Sequence, residues 1–315
     1  MKNIIITGAA GMVGSELLET LIKDKNKMFY CFDNLSNGKK KFLTPYVKEK
    51  NFKFFKANLE TRIPIKIIKK IKGNIDELWL LAANSDIQKG NSNYLVDYEY
   101  TFKTTVNTLK SFENKINNNS TIIFSSSSAI YGKSKKKITE KNLEFSPESN
   151  YGLMKLLSEN FLNYYQKEKK FFLRIYRFPN VVGKNLTHGI IFDFRKKMLS
   201  KNRVFNVLGN GTQKKPYSHT QDIIRSMIFL NKKKLKKIVV NLGYGDNGIK
   251  VSKIVDLFFN IHKINKKIKY QNKSYGWRGD VTKYKYSINY LNSLGFKFSL
   301  NSINSLKLSI NNIKK

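Results

Sequence analysis

Two residues four apart, Tyr151 and Lys155 in "NYGLMK", could run proton chemistry together. On a helix that spacing puts both side chains on one face. A free tyrosine, with a pKa of about 10, is a poor base at neutral pH. An ammonium about 4 Å away, at an effective dielectric near 20, favours the phenolate by about 4 kcal/mol before solvent penalties, roughly three pKa units. Such a tyrosine could take the proton of a substrate hydroxyl. A Tyr-x-x-x-Lys pair is commonplace in a chain this rich in both residues, so its weight comes from its company. That company is a serine run, "FSSSSAIYG", at the end of an expected strand, and a glycine-rich loop at the start of the chain.

The loop, "TGAAGMVG", holds Gly8, Gly11 and Gly14 between the apolar run Ile4 to Ile6 and a helical pattern of Leu17, Leu18, Leu21 and Ile22. A loop that leaves a buried strand and opens a helix turns free N–H groups and the positive helix end toward a pyrophosphate. Gly8 permits the tight turn, Gly11 lets backbone approach phosphate, and Gly14 lets helix pack on strand. Asp33, closing the second expected strand in "CFDNLSNG", stands where a carboxylate accepts hydrogen bonds from an adenosine ribose and repels a ribose phosphate. This points to NAD rather than NADP; the plainer alternative is a turn residue in an Asn/Gly-rich loop. A nicotinamide ring would push Tyr151 toward the phenolate as the lysine does, so that a hydroxyl proton and a hydride leave one carbon together.

The elements that position these groups alternate short apolar runs with helical periodicity, the pattern of repeated βαβ units. Strands are expected at Asn3 to Thr7, Met28 to Phe32, Phe52 to Lys56, Glu77 to Leu81, Thr121 to Ser125 and Phe171 to Arg177, with helices at Ser15 to Lys23 and Tyr151 to Tyr165. Their continuous apolar character suits strands covered on both faces. The expected fold class is α/β, a doubly wound parallel sheet of Rossmann type with a smaller C-terminal substrate-binding lobe. Residues 1–178 would bind the dinucleotide and residues 179–315 mainly the substrate, with part of 217–245 packing back on the first domain.

The 315 residues carry a formal charge of +37. The excess is lysine, scattered and in runs such as Lys39-Lys40-Lys41, Lys135-Lys136-Lys137 and Lys232-Lys233-Lys234, among abundant Asn and Ile. Nucleic-acid readers rely more on arginine's planar fork, so the charge reads as a solvated surface rather than a nucleic-acid footprint. The lone Cys31 excludes an intramolecular disulfide and, with no leader ahead of Ile4, fits the cytoplasm. No apolar run reaches the roughly 20 residues of a membrane span. His188, His219 and His262 lie far apart without carboxylate or cysteine spacing, so no metal is expected.

Taken jointly, "TGAAGMVG", "DNLSNG", "LAAN", "SSSSAIYG", "YGLMK", "RFPNVVG", "VLGNGTQKKPYSHTQD" and "GWRGDV" resemble the extended short-chain dehydrogenase/reductases. Within them the chain is most similar to the nucleotide-sugar epimerase/dehydratase group and its UDP-glucose 4-epimerase-like members. The resemblance spans essentially the whole chain. It implies Ser127, Tyr151 and Lys155 as the catalytic set, Ser127 bridging substrate and tyrosine. For NAD it implies Gly8, Gly11, Met12, Val13, Gly14, Asp33, Asn34, Asn58, Leu59, Leu81, Ala82, Ala83 and Thr101 beside Tyr151 and Lys155. For the nucleotide sugar it implies Asn180 and Lys215 at the diphosphate, and Trp277 to Asp280, with Arg278 and Asp280, over the substrate. Tyr284 would line the sugar pocket and limit bulk at the 2-position, Asp222 would serve structure, and Cys31 would be core. Members commonly dimerise through two helices per subunit, here Asp97 to Phe112 and the one beginning at Tyr151.

Asn58 stands where an Asp is usual, Thr101 where a cofactor-contacting Asn is, and Lys215-Pro216 replace an Arg-containing pair. Sugar 4,6-dehydratases of the family follow the bridging hydroxyl with Asp-Glu, an acid and a base for eliminating water. This chain has Ser128-Ala129. The resemblance therefore implies C4 epimerisation of a UDP-hexose through a transient 4-keto sugar. The alternatives are a dehydratase or reductase reaction on the same site, or a non-catalytic NAD-binding regulator.

Overall fold

A computed structural model describes residues 1–315 apart from 135, 136, 143, 278, 286, 314 and 315. Strands β1 (Lys2–Thr7), β2 (Lys27–Asp33), β3 (Phe52–Lys56), β4 (Glu77–Leu80), β5 (Thr121–Ser127) and β6 (Phe172–Phe178) join a seventh, Lys237–Asn241, in one parallel sheet. From one edge the order is Lys237–Asn241, β6, β5, β4, β1, β2, β3. The chain runs outward from β1 to β3, then crosses to β4 on the other side, so the order reverses between β1 and β4. That reversal opens a crevice at the carboxyl ends of the two strands, where ligands of such sheets bind.

Both faces of the sheet are covered, which is why its strands are apolar without alternation. Ile4 and Ile6 pack with Leu17 and Leu18 of α1 (Met12–Leu21) and with Ile223, Ile224 and Met227 of the helix Thr220–Asn231. Ile5 points the other way, into Ile68, Ile71, Leu109, Phe112 and Leu162. A separate core of Phe194, Phe205, Val251, Ile254, Phe258, Leu306 and Ile310 holds the C-terminal lobe. The segment 217–241 returns to the sheet, supplying both the helix Thr220–Asn231 and the strand beside β6.

Several boundaries differ from the sequence pattern, most by one or two residues, and the helix expected to end at Tyr165 runs on to Lys169. α1 starts at Met12 rather than Ser15, because the Ser15 N–H already bonds Gly11 O at 3.0 Å and the glycine loop forms the first turn. β5 continues to Ser127, since its ladder with β6 extends to Ser126↔Arg177 and Ser127↔Phe178. The helix expected at Asp97 to Phe112 begins at Tyr94 and passes through a π-helical stretch, Tyr98–Lys103.

Candidate active site

The crevice at the sheet reversal is built for close backbone approach. Gly8 has φ +67, and a Cβ there would stand 2.8 Å from Ala82 N; a Cβ on Gly14 would lie 2.2 Å from Gly8 O. Thr7 Oγ1 accepts from the N–H of Leu81 at 3.1 Å and of Ala82 at 3.3 Å, fastening the end of β1 to the segment Leu81 to Ala83. Gly11 caps α1 without a side-chain bond, so the first N–H groups of the helix, at Met12 and Val13, keep no side-chain partner. These features fit a pyrophosphate.

Asp33 closes β2 beside this loop, buried, with Oδ2 accepting from Ala10 N at 3.0 Å and Oδ1 from Leu35 N at 2.7 Å. Burial raises its pKa while these two bonds oppose the rise. The Leu35 bond is a turn of the ordinary Asx kind, yet the Ala10 bond ties the same carboxylate to the glycine loop, and its remaining lone pairs suit ribose hydroxyls. Asn34 turns inward on its own loop, its Oδ1 accepting from Ser36 N at 3.0 Å. Leu59 is buried and Asn58 exposed beside it. Thr101 is fully buried in the π-helical stretch, its Oγ1 accepting from Asn84 N at 3.2 Å, so its hydroxyl braces the segment after β4.

Across the crevice, the helix Asn150–Lys169 starts under the turn that follows β5. Ser149 caps it by accepting from Gly152 N at 3.1 Å, and a Cβ on Gly152 would lie 2.4 Å from Ala129 O. Only glycine lets the first helical turn come this near, which brings Tyr151 close enough to the Ser127 side chain for that hydroxyl to favour its phenolate. One turn on, Lys155 is buried, its Nζ donating to Ser125 O at 2.6 Å and standing 5.6 Å from the Tyr151 ring centre.

Burial supplies the solvent penalty on both groups. Tyr151 is shifted up, because burial penalises the phenolate and the Asp97 carboxylate repels it, against the Ser127 side chain that lowers it. Lys155 is shifted down to about 7, again by burial, with Glu159 and Asp97 pulling it back up. The loss of water by each ion opposes the Coulomb attraction between them.

Beneath the lysine lies a polar chain. Glu159 takes two bonds from Arg177, at 3.0 and 2.7 Å; Arg177 also donates to the Tyr131 hydroxyl at 2.7 Å, which donates to Asn241 at 2.8 Å. The sequence analysis missed Gly152, Glu159 and Arg177. Tyr151, Lys155 and Glu159 recur at four-residue spacing, a signal for Glu159 on the same helix face; nothing local announces Arg177.

On the side of the C-terminal lobe, Asn180 Nδ2 donates to Tyr284 OH at 3.1 Å and to Pro216 O at 3.2 Å, and Ser128 Oγ donates to Tyr284 OH at 3.3 Å. Tyr284 thus joins the turn after Ser127 to the second lobe. Lys215 is buried, ion-paired with Asp280 and 4.7 Å from the Trp277 ring centre; Asp280 also accepts from Gly276 N at 2.9 Å. Arg278 lies outside the described residues.

His219 caps the helix Thr220–Asn231, His262 packs 4.7 Å from the Phe258 ring, and His188 is exposed beside Thr187. Among the described residues, no group of three His, Cys, Asp or Glu could hold a metal, and no helix is long and apolar enough to cross a membrane. Asp222 is buried and accepts from Arg225, Tyr244, Ser299 and Leu300. Cys31 is buried in β2, where burial pushes its thiol up.

Residues 4–243 match the NAD dependent epimerase/dehydratase family. An uncharacterised UDP-glucose epimerase of Bacillus subtilis is 28% identical over 300 residues, 91% of this chain and 92% of that one. A putative UDP-glucose 4-epimerase of Methanocaldococcus jannaschii is 27% identical over 247 residues, 77% of each chain. Among solved structures, UDP-glucuronic acid 4-epimerase from Bacillus cereus, in complex with UDP-glucuronic acid and NAD, superposes with a TM-score of 0.85 over 98% of both chains at 20% identity, a likeness of fold.

Proposed function

Because the chain belongs to the NAD dependent epimerase/dehydratase family, and so is an NAD-dependent enzyme of nucleotide-sugar chemistry, we propose that it epimerises a UDP-hexose at C4. The glycine loop, the N-terminus of α1 and Asp33 would hold NAD, with Asn34, Asn58, Leu59, Leu81 to Ala83 and Thr101 around it. Bound there, NAD supplies a reversible hydride acceptor for the sugar carbon. The protein's own part is proton handling: Tyr151 Oη takes the proton of the 4-hydroxyl and later returns it, while Ser127 Oγ bridges sugar and tyrosine. Lys155 favours the phenolate when its ammonium is charged, and Glu159, held by Arg177, fixes the floor under it. Asn180, Lys215 and Asp280, with Arg278, would hold the nucleotide. Lys215 is a point charge without arginine's fork, and it would exchange Asp280 for phosphate on binding.

The observation that carries this reading is Tyr151 beside the Ser127 hydroxyl with the buried Lys155 one turn on, followed by Ser128 and Ala129 where elimination would need carboxylates. A homodimer is part of the same proposal. The helix Asn150–Lys169 packs on the segment Tyr98–Lys103, and these neighbouring elements leave Tyr94, Leu95, Leu153, Leu157 and Tyr164 exposed, apolar side chains that a second copy could cover.

Proton NMR of the protein with NAD and, separately, UDP-glucose, UDP-galactose and their N-acetylhexosamine counterparts tests the reaction. The C4 epimer should appear in at least one tube and in none with Tyr151→Phe, which should still bind NAD. A stable 4-keto product would replace epimerisation by elimination, and an active Tyr151→Phe variant would refute the proton assignment.

A further inference from the structure

Asp97 has no role in the scheme above, yet it is fully buried at the entrance to the π-helical stretch. Its Oδ1 accepts from Asn84 Nδ2 at 2.7 Å, and its Oδ2 has no hydrogen-bond partner. The carboxylate fills a space kept free by Gly90, where a Cβ would stand 1.9 Å from Oδ2. A buried carboxylate with one neutral donor is costly unless a cation faces it.

The charged and titratable groups around Asp97 are few. Among the described residues, the charged group of the segment after β4 that acts on Asp97 is Asp86, a like charge; the helix Asn150–Lys169 brings Tyr151 and Lys155. Lys155 has the converse problem. It is 1% exposed, and of its three N–H donors one meets Ser125 O, with the Phe124 ring 4.7 Å away. Two carboxylates act on its charge, Glu159 and Asp97, and Gly90, against which Asp97 packs, accepts at its carbonyl from Asn150 Nδ2 at the start of the lysine's own helix, at 3.0 Å. Glu159 is already bound at both oxygens by Arg177 and by Ser126. Asp97 is the one whose charge no cation of its own offsets.

We propose that Asp97 is a positioning residue that serves as the fixed counter-charge of the Lys155 ammonium, keeping the lysine protonated beneath Tyr151 in a pocket closed to water. The same charge opposes the Tyr151 phenolate, so Asp97 acts on both members of the pair in one direction and holds the proton on the tyrosine until a substrate hydroxyl and a cofactor arrive. This rests on the reading of Tyr151 and Lys155 as the proton-handling pair.

The test is an NMR titration of the NAD-loaded protein labelled at lysine Cε, without sugar. The Lys155 signal is assigned by Lys155→Arg and stands apart from ordinary lysines because burial brings its pKa to about 7. Asp97→Asn keeps the shape and the Asn84 bond while removing the charge, and should lower the Lys155 midpoint by about one pH unit or more. Asp97→Ser, smaller and also uncharged, reads the same shift if the asparagine variant does not fold. A purely structural role would lower the melting temperature and leave the midpoint in place, and coincident midpoints in wild type and variant overturn the proposal. Since no turnover is read, failure here is distinct from failure of the epimerase assay.

Discussion

At the scale of single residues, the Tyr151–Lys155 pair shows how far a spacing argument reaches. Four-residue spacing places both groups on one face, and the structure keeps that. It does not tell which ion the pocket favours, because that depends on how much water each group loses. Burial acts on both groups against their charged forms. For stability the sign follows directly. Lys155 titrates near 7 when folded and near its ordinary value when unfolded. Between those values the unfolded chain binds the extra proton, so the folded state gains stability as pH rises through that window and loses it as pH falls toward 7. In NAD-free protein, the melting temperature of wild type relative to Lys155→Met should therefore rise from pH about 7 to about 9. Parallel curves in calorimetry would mean that the lysine keeps its ordinary affinity for protons.

At the scale of elements, the end of β2 and the glycine loop behave as one unit. Asp33 bonds Ala10 in that loop and Leu35 in its own turn, so the sequence alternatives of ribose carboxylate and turn residue are compatible in one side chain. Asp33→Ala frees both N–H groups and removes the ribose acceptor. NAD affinity should fall by roughly ten- to a hundredfold, the cost of one or two charge-assisted hydrogen bonds, and discrimination against NADP should relax. Isothermal titration with both dinucleotides measures it, and unchanged NAD affinity would reduce Asp33 to a turn residue. The glycine loop was legible because Gly8 and Gly14 answer local demands, a positive φ and a helix one atom's width from its strand. Gly152 answers the same kind of demand, yet the contact it serves is with Ala129, which only the folded chain brings near.

For the whole molecule, the two lobes are tied to the cofactor helix. Glu16 of α1 is buried and accepts from Thr220 of the returning segment and from the backbone of Lys184 and Asn185, beside an Asn185–Ser15 bond at 3.0 Å. The exposed face of the helix Asn150–Lys169 carries the proposed dimer contact. Replacing Leu153 and Leu157 together by lysine should convert a dimer to a monomer in sedimentation velocity, since neither side chain supports the core of its own subunit. A wild type that sediments as a monomer at micromolar concentration would set the dimer aside.

The sequence by itself determined the α/β architecture, the glycine loop, the carboxylate after β2 and the tyrosine–lysine helix, because each follows from residues within a turn or a strand of one another. The tertiary structure decided what surrounds them. The Arg177–Glu159 floor joins β6 to the helix before it, Tyr284 reaches Ser128 across 156 positions, and the charge of Asp97 acts on Lys155 from a different element. The physical reason is the same in each case: burial, and with it the cost of charge, is set by neighbours that are distant in sequence.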